Sequence, residues 1–153
     1  MQADTTPTLI VITGPTGSGK TALAITLARR LGCDVISADS RQMFKGIPIT
    51  TAAPTADELA AARHHFVGTL ELDAYYSAAQ YEEDCLTLLG ELFSRGRYAV
   101  MCGGAMMYVD KPVEAVSPLG KVYISSASTI AMAGISFGST QTIFLWFSSS
   151  VMT

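Results

Sequence analysis

Thr8-Leu9-Ile10-Val11-Ile12-Thr13 runs straight into Gly14-Pro15-Thr16-Gly17-Ser18-Gly19-Lys20-Thr21, and this stretch decides the fold. The first six residues are a short, continuous apolar run, which suits a central parallel strand buried on both faces. The next eight satisfy the phosphate-loop pattern GxxxxGK[ST] in full. A helix is expected from Gly19 to Leu31, with apolar faces from Ala22, Leu23, Ile25, Leu27, Ala28 and Leu31 and a stop at Gly32. Strand, glycine-rich turn and helix in that order are the context the motif needs.

The pattern has a direct physical purpose. Glycines let successive backbone N–H groups turn inward around an anion. The helix N-terminus adds partial positive charge. Lys20 supplies a mobile charge for outer phosphate oxygens, and Thr21 a hydroxyl for a bound Mg²⁺. The candidate phosphate-binding residues are therefore Gly14, Pro15, Thr16, Gly17, Ser18, Gly19, Lys20 and Thr21. Taken alone the loop suggests ATP binding, but kinases, NTPases and diphosphate-releasing transferases all use one.

Working outward, Cys33 to Ser37 reads as a second strand and Asp39-Ser40-Arg41-Gln42 as a polar loop after it. Residues 50–54 read as loop, and Pro54-Thr55-Ala56-Asp57 can open a short helix through Arg63. Ser77 to Arg95 is a long helix: Ser77 can cap it, and Tyr81, Cys85, Leu88, Leu89, Leu92 and Phe93 recur at helical spacing. Gly96 stops it. Tyr98 to Cys102 is a third apolar strand, ending in Gly103-Gly104. Strands alternating with helices predict an α/β fold, a P-loop NTPase-like parallel sheet flanked by helices.

The usual Mg²⁺-holding acid at the end of a neighbouring strand is missing, because the third strand ends in two glycines. The nearest acid is Asp39. A parallel sheet brings the loop after the second strand to the same carboxyl edge as the phosphate loop. Asp39 there can act as a general base, bind magnesium, or be no more than a helix cap or solvated loop acid.

Composition bounds the rest. The chain has 153 residues, enough for one domain and one core, with a net charge of −3. That balance offers no global basic field, so a nucleic-acid partner needs a local patch. Charged residues make up 15%, below a typical level of about a quarter, and none occurs after Lys121. The expected division is a P-loop core over residues 1–110 and a tail over 111–153, uncharged past Lys121. Val122 to Ser125 and Thr142 to Phe147 are candidate strands in that tail, and no amphipathic helix is evident beyond Pro112. The tail reads as a sheet edge, a truncation or a shifted reading frame.

Cys33, Cys85 and Cys102 lack metal-ligand spacing and suggest reduced cytosolic thiols. No signal peptide is expected, and no apolar run of about 18 residues suggests a membrane span. The expectation is a cytoplasmic protein, a monomer by default.

Several blocks in order then resemble a known family. GPTGSGKT, Ser37-Ala38-Asp39-Ser40-Arg41-Gln42-Met43-Phe44-Lys45-Gly46, Thr51-Ala52-Ala53-Pro54, His64-His65, Tyr76-Ser77-Ala78-Ala79, Arg95-Gly96 and Gly103-Gly104 with Tyr108 resemble the tRNA dimethylallyltransferases, also called tRNA isopentenyltransferases. The resemblance covers about residues 9–110. It implies transfer of a dimethylallyl group from dimethylallyl diphosphate to N6 of an adenine beside the tRNA anticodon. The P-loop then cradles the diphosphate leaving group, with Mg²⁺ and Lys20 offsetting its charge. The resemblance makes Asp39 the general base and Asp39, Ser40, Arg41 and Gln42 contacts of the target nucleotide, which must leave its stack. It also accounts for the acid-free third strand, since no γ-phosphoryl moves.

There are two departures. Ala105 stands where the family carries a threonine whose hydroxyl meets the diphosphate, a bond to a charged group typically worth about 1.5–3 kcal/mol. Family members also run to roughly twice this size, and residues 111–153 do not resemble their tRNA-gripping half. An inactive phosphate-binding fragment and a P-loop nucleotide or small-molecule kinase therefore stand as alternatives.

Other residues admit plainer readings. His64 and His65, being adjacent, converge poorly on one metal ion. Tyr75, Tyr76 and Tyr81 can stack bases, although Tyr81 sits at a core position. Arg41, Lys45, Arg63, Arg95 and Arg97 can touch RNA phosphates or be solvated surface. Met106 and Met107 can line a prenyl pocket or simply pack.

Overall fold

A computed structural model describes residues 3–15, 17–46, 53–104 and 106–126. The apolar run at the start becomes strand β1 (Thr8–Thr13). It is followed by helix α1 (Lys20–Leu31), strand β2 (Val35–Ser37), helix α2 (Ala56–Ala61), strand β3 (His64–His65) and helix α3 (Ala78–Arg95). Strand β4 (Tyr98–Cys102), helix α4 (Met106–Val116) and strand β5 (Lys121–Ser126) complete the described elements. The strands form one parallel five-stranded sheet in the order β3-β2-β4-β1-β5. The α/β expectation of a parallel sheet flanked by helices therefore holds.

Alternation along the strands builds two cores. Leu9 and Val11 of β1, Ile36 of β2, and Ala99 and Met101 of β4 face α3 and α4, where they meet Tyr81, Cys85, Leu89, Tyr108 and Val109. Ile10, Ile12, Val35, Val100 and Cys102 face α1 and meet Ala24, Leu27 and Ala28. Burial on both faces is why β1 and β4 read as unbroken apolar runs rather than alternating ones.

Local chemistry sets the helix ends. Thr55 and Ser77 each close a capping box, with Glu58 and Gln80 as reciprocal partners. Gly32 ends α1 in the left-handed region at φ 65°, a conformation that favours glycine.

Helix α4 crosses the boundary near residue 110 that composition suggests, and β5 follows it. Pro112 lies inside α4 and breaks its bond ladder, so the segment lacks the usual helix signal. Burial of Tyr108, Val109 and Val116 against the sheet compensates. The strand expected at 122–125 is β5, paired with β1 from Thr8↔Lys121 to Thr13↔Ser126. The candidate strand at 142–147 lies outside the described residues. Among the described residues no helix is long and apolar enough to cross a membrane.

At the end of the sheet opposite the P-loop, the chain start is tied across three strands. Asp4 accepts from Arg97 at 2.7 Å and Lys121 at 2.9 Å, and Arg97 Nε donates to the Thr6 carbonyl at 3.2 Å.

Candidate active site at the carboxyl edge of the sheet

The P-loop leaves β1 at Gly14 and enters α1 at Lys20. Gly17 and Gly19 hold φ of 80° and 83°, which turns the backbone inward without Cβ strain. Gly19 is the N-cap of α1 and offers no side-chain bond, and no acid stands in the first turn. The first N–H groups of α1 and its dipole thus face the loop without a competing side chain, the arrangement that favours an anion. Lys20 Nζ donates to the Pro15 carbonyl at 3.2 Å, lying along the loop. Among the described residues Ser18 Oγ is buried without a hydrogen-bond partner, a hydroxyl available to bond a phosphate oxygen.

A cleft of about 380 Å³ opens beside this loop, lined by Thr13, Gly14, Pro15, Lys20, Asp39, Ser40, Arg41 and Gly104. Loops following three different strands build it: the P-loop after β1, the acid loop after β2 and the glycine pair after β4. An Asx turn shapes the acid loop, with Arg41 N–H donating to Asp39 Oδ1 at 3.0 Å. Asp39 and Lys20 therefore line one small polar space, as parallel strand order requires. Thr13 and Gly104 also line the cleft although neither belongs to the phosphate-loop or acid-loop motif; their signal is position, directly before Gly14 and after Gly103.

Not every candidate lines the cleft. Gln42 is 9% exposed and turned inward, its Oε1 accepting from Ser37 Oγ at 3.0 Å. Gly17, Ser18, Gly19 and Thr21 lie in the loop and the first helical turn, outside the lining. Thr16 and Ala105 lie outside the described residues. Thr21 contacts the Cys102 thiol at the end of β4, where burial pushes the thiol up to about 11. One hydroxyl and one carboxylate near a phosphate loop suit a Mg²⁺ held largely through water and phosphate oxygens. Among the described residues no cluster of three or more His, Cys, Asp or Glu side chains could hold a metal on its own.

The histidines find separate partners. His64 Nδ1 is 2.8 Å from the Ala62 carbonyl and His65 Nε2 is 2.8 Å from Asp34 Oδ2. They border a second cleft, about 470 Å³, between β3 and α3, whose lining includes Arg63, Phe66, Tyr76, Asp84 and Glu91. Tyr81 is core, 1% exposed, and Tyr75 is 88% exposed. Of the scattered cations, Lys45 pairs with Glu71 and Arg97 with Asp4.

With that geometry in place, a family comparison is decisive. The model described as IPP transferase matches residues 42–130. The chain belongs to the IPP transferase family. Relatives agree with this assignment. The chain is 46% identical over 114 residues to tRNA dimethylallyltransferase 2 of Parabacteroides distasonis, covering 74% of this chain and 38% of that protein. It is 52% identical over 104 residues to tRNA dimethylallyltransferase 1 of Bacteroides thetaiotaomicron, covering 68% and 34%. Among solved structures, the full-length tRNA isopentenylpyrophosphate transferase of Bacillus halodurans superposes with a TM-score of 0.67 at 35% identity, covering 71% of this chain and 36% of that one. A eukaryotic dimethylallyltransferase acting on tRNA superposes with a TM-score of 0.65 at 31% identity, covering 69% and 26%. This IPP transferase chain thus spans little more than a third of the length of the curated relatives it matches.

Proposed function

We propose that this chain takes part in prenyl transfer to tRNA, moving a dimethylallyl group from dimethylallyl diphosphate to N6 of an adenine beside the anticodon. The observation that carries this reading is the shared cleft: Asp39 and Lys20 line one polar space beside an uncapped helix N-terminus. Family membership supplies the reaction class.

In this reading the P-loop backbone and Lys20 bind the diphosphate. The bond from the dimethylallyl C1 to the diphosphate oxygen breaks as C1 bonds to the adenine N6. Asp39 takes the N6 proton, and the negative charge leaves with the diphosphate onto the loop's N–H groups and Lys20. Thr21 is the residue that would hold Mg²⁺, which when bound would offset diphosphate charge. Ser40 and Arg41, on the rim beside Asp39, face the incoming nucleotide. The acid-free end of β4 fits a site that moves no γ-phosphoryl group.

These 153 residues are expected to bind the diphosphate well and to turn over tRNA weakly. Near the cleft Arg41 is an exposed cation, Lys45 is engaged by Glu71, and the net charge is −3. Counterion release therefore offers little RNA affinity. Calorimetric titration with dimethylallyl diphosphate and with ATP, followed by a transfer assay on an anticodon stem-loop, tests the proposal. Tighter binding of dimethylallyl diphosphate supports it. Tighter binding of ATP with phosphoryl transfer to a small acceptor replaces it with the kinase reading.

A further inference from the structure

Tyr81 stands in the first turns of α3 with its ring in the core and its hydroxyl on the backbone of another element. The hydroxyl donates to the Ser37 carbonyl at 3.0 Å, and both residues are buried. Ser37 is the last residue of β2, two positions before Asp39. Its neighbour Ala38 donates its N–H to the Cys102 carbonyl at 2.9 Å, and Ser37 Oγ donates to Gln42 Oε1 at 3.0 Å. The acid loop is thus anchored before and after Asp39, and Tyr81 secures the first anchor from outside the loop.

The same ring meets residues that follow two other strands. Tyr108, after the glycine pair of β4, packs edge-on at 4.6 Å between centroids. Phe66, directly after β3, packs at 5.0 Å and holds φ 63°, a left-handed backbone that costs a bulky residue energy and persists only where its surroundings enforce it. A phenylalanine would fill the ring's space equally well. A hydroxyl in that dry position is tolerated because it has an acceptor. Burial raises the phenol's pKa, so it remains a donor well into alkaline solution.

We propose that Tyr81 is a positioning residue, whose bond to the Ser37 carbonyl fixes where Asp39 stands over the phosphate cleft. The inference rests on the reading of Asp39 as the base of prenyl transfer. Tyr81→Phe keeps both ring contacts and removes the hydroxyl's bond to the Ser37 carbonyl together with its contact to the Cys85 thiol. Three measurements on the 153-residue protein test it: hydrogen exchange at the Ala38 amide, affinity for dimethylallyl diphosphate, and affinity for an anticodon stem-loop carrying the target adenine. The expected result is Ala38 exchange faster by about tenfold, the size of one buried hydrogen bond. Diphosphate affinity should stay within about twofold and stem-loop affinity fall by about tenfold, a split that a general loss of stability does not produce. Unchanged Ala38 exchange, or a parallel fall in both affinities, overturns the positioning role. If the unsubstituted protein binds ATP more tightly than dimethylallyl diphosphate, the proposed function fails instead, and the Ala38 exchange still decides Tyr81.

Discussion

Gly103 lies flat against Ala38: a Cβ on Gly103 would stand 2.6 Å from the Ala38 carbonyl carbon and 2.8 Å from its Cβ. The end of β4 and the start of the acid loop therefore touch backbone to backbone, and the spacing between the P-loop side and Asp39 depends on the missing side chain. Gly104, by contrast, would bring a Cβ to 3.4 Å from the Gly14 carbonyl, a tight but ordinary contact.

Gly103→Ala should accordingly cost about 2 kcal/mol of stability, in the range of core overpacking. Gly104→Ala should cost much less. Urea denaturation of the two variants side by side measures the difference, and equal costs would contradict the close approach.

Lys20→Ala should weaken diphosphate binding by about 10- to 100-fold, the loss of one charge-assisted bond. Its stability should barely change, since Lys20 donates to an exposed part of the loop. Calorimetry with inorganic diphosphate, beside a melting curve, reads both quantities.

Asp39→Asn should separate binding from chemistry. An asparagine Oδ1 can still accept from the Arg41 N–H, so the Asx turn persists. Removing a negative charge from the cleft should tighten diphosphate binding a few-fold in the absence of metal, while prenyl transfer falls to background. Titration and single-turnover transfer with the same preparation check the opposite signs.

Alkaline pH should destabilise the protein. Burial pushes the Cys102 thiol up to about 11 and the Cys85 thiol up to about 12 from an ordinary value of 9.0. Both groups favour the folded state while neutral. Their contribution is complete below pH 9.0 and is lost as pH rises towards their folded values, because the unfolded chain ionises first. Each can remove up to about 1.4 kcal/mol per pH unit across that window. Denaturant midpoints measured at pH 8 and pH 10 should differ, and Cys85→Ala should flatten the dependence.

Much of this architecture was legible in the residues. The run at 8–13, the loop at 14–21 and the Ser77 cap each carry a local signal that tertiary structure leaves intact. That Asp39 and the P-loop line one cleft followed from parallel strand logic. Helix α4 was hidden by Pro112, because a proline inside a helix is recognisable as tolerated only once Tyr108, Val109 and Val116 are seen packed on the sheet. Strand β3 is two residues long, too short for any period to register. Gln42 illustrates a different limit: a polar residue in a site motif reads as ligand-facing, yet its partner here is Ser37 within the fold. The bond from Tyr81 to Ser37 joins residues 44 positions apart and leaves no trace in spacing.

The pairing of β1 with β5 has a consequence during synthesis. Thr8 lies beside Lys121 and Thr13 beside Ser126, so the strand that carries the P-loop waits for more than a hundred further residues before its second edge is covered. Until then a nascent chain displays an apolar strand with open backbone groups, the state most exposed to mispairing. On a ribosome, the phosphate loop's supporting strand is secured only after Ser126 has cleared the exit tunnel, which makes β5 a late clamp on the earliest-made part of the site.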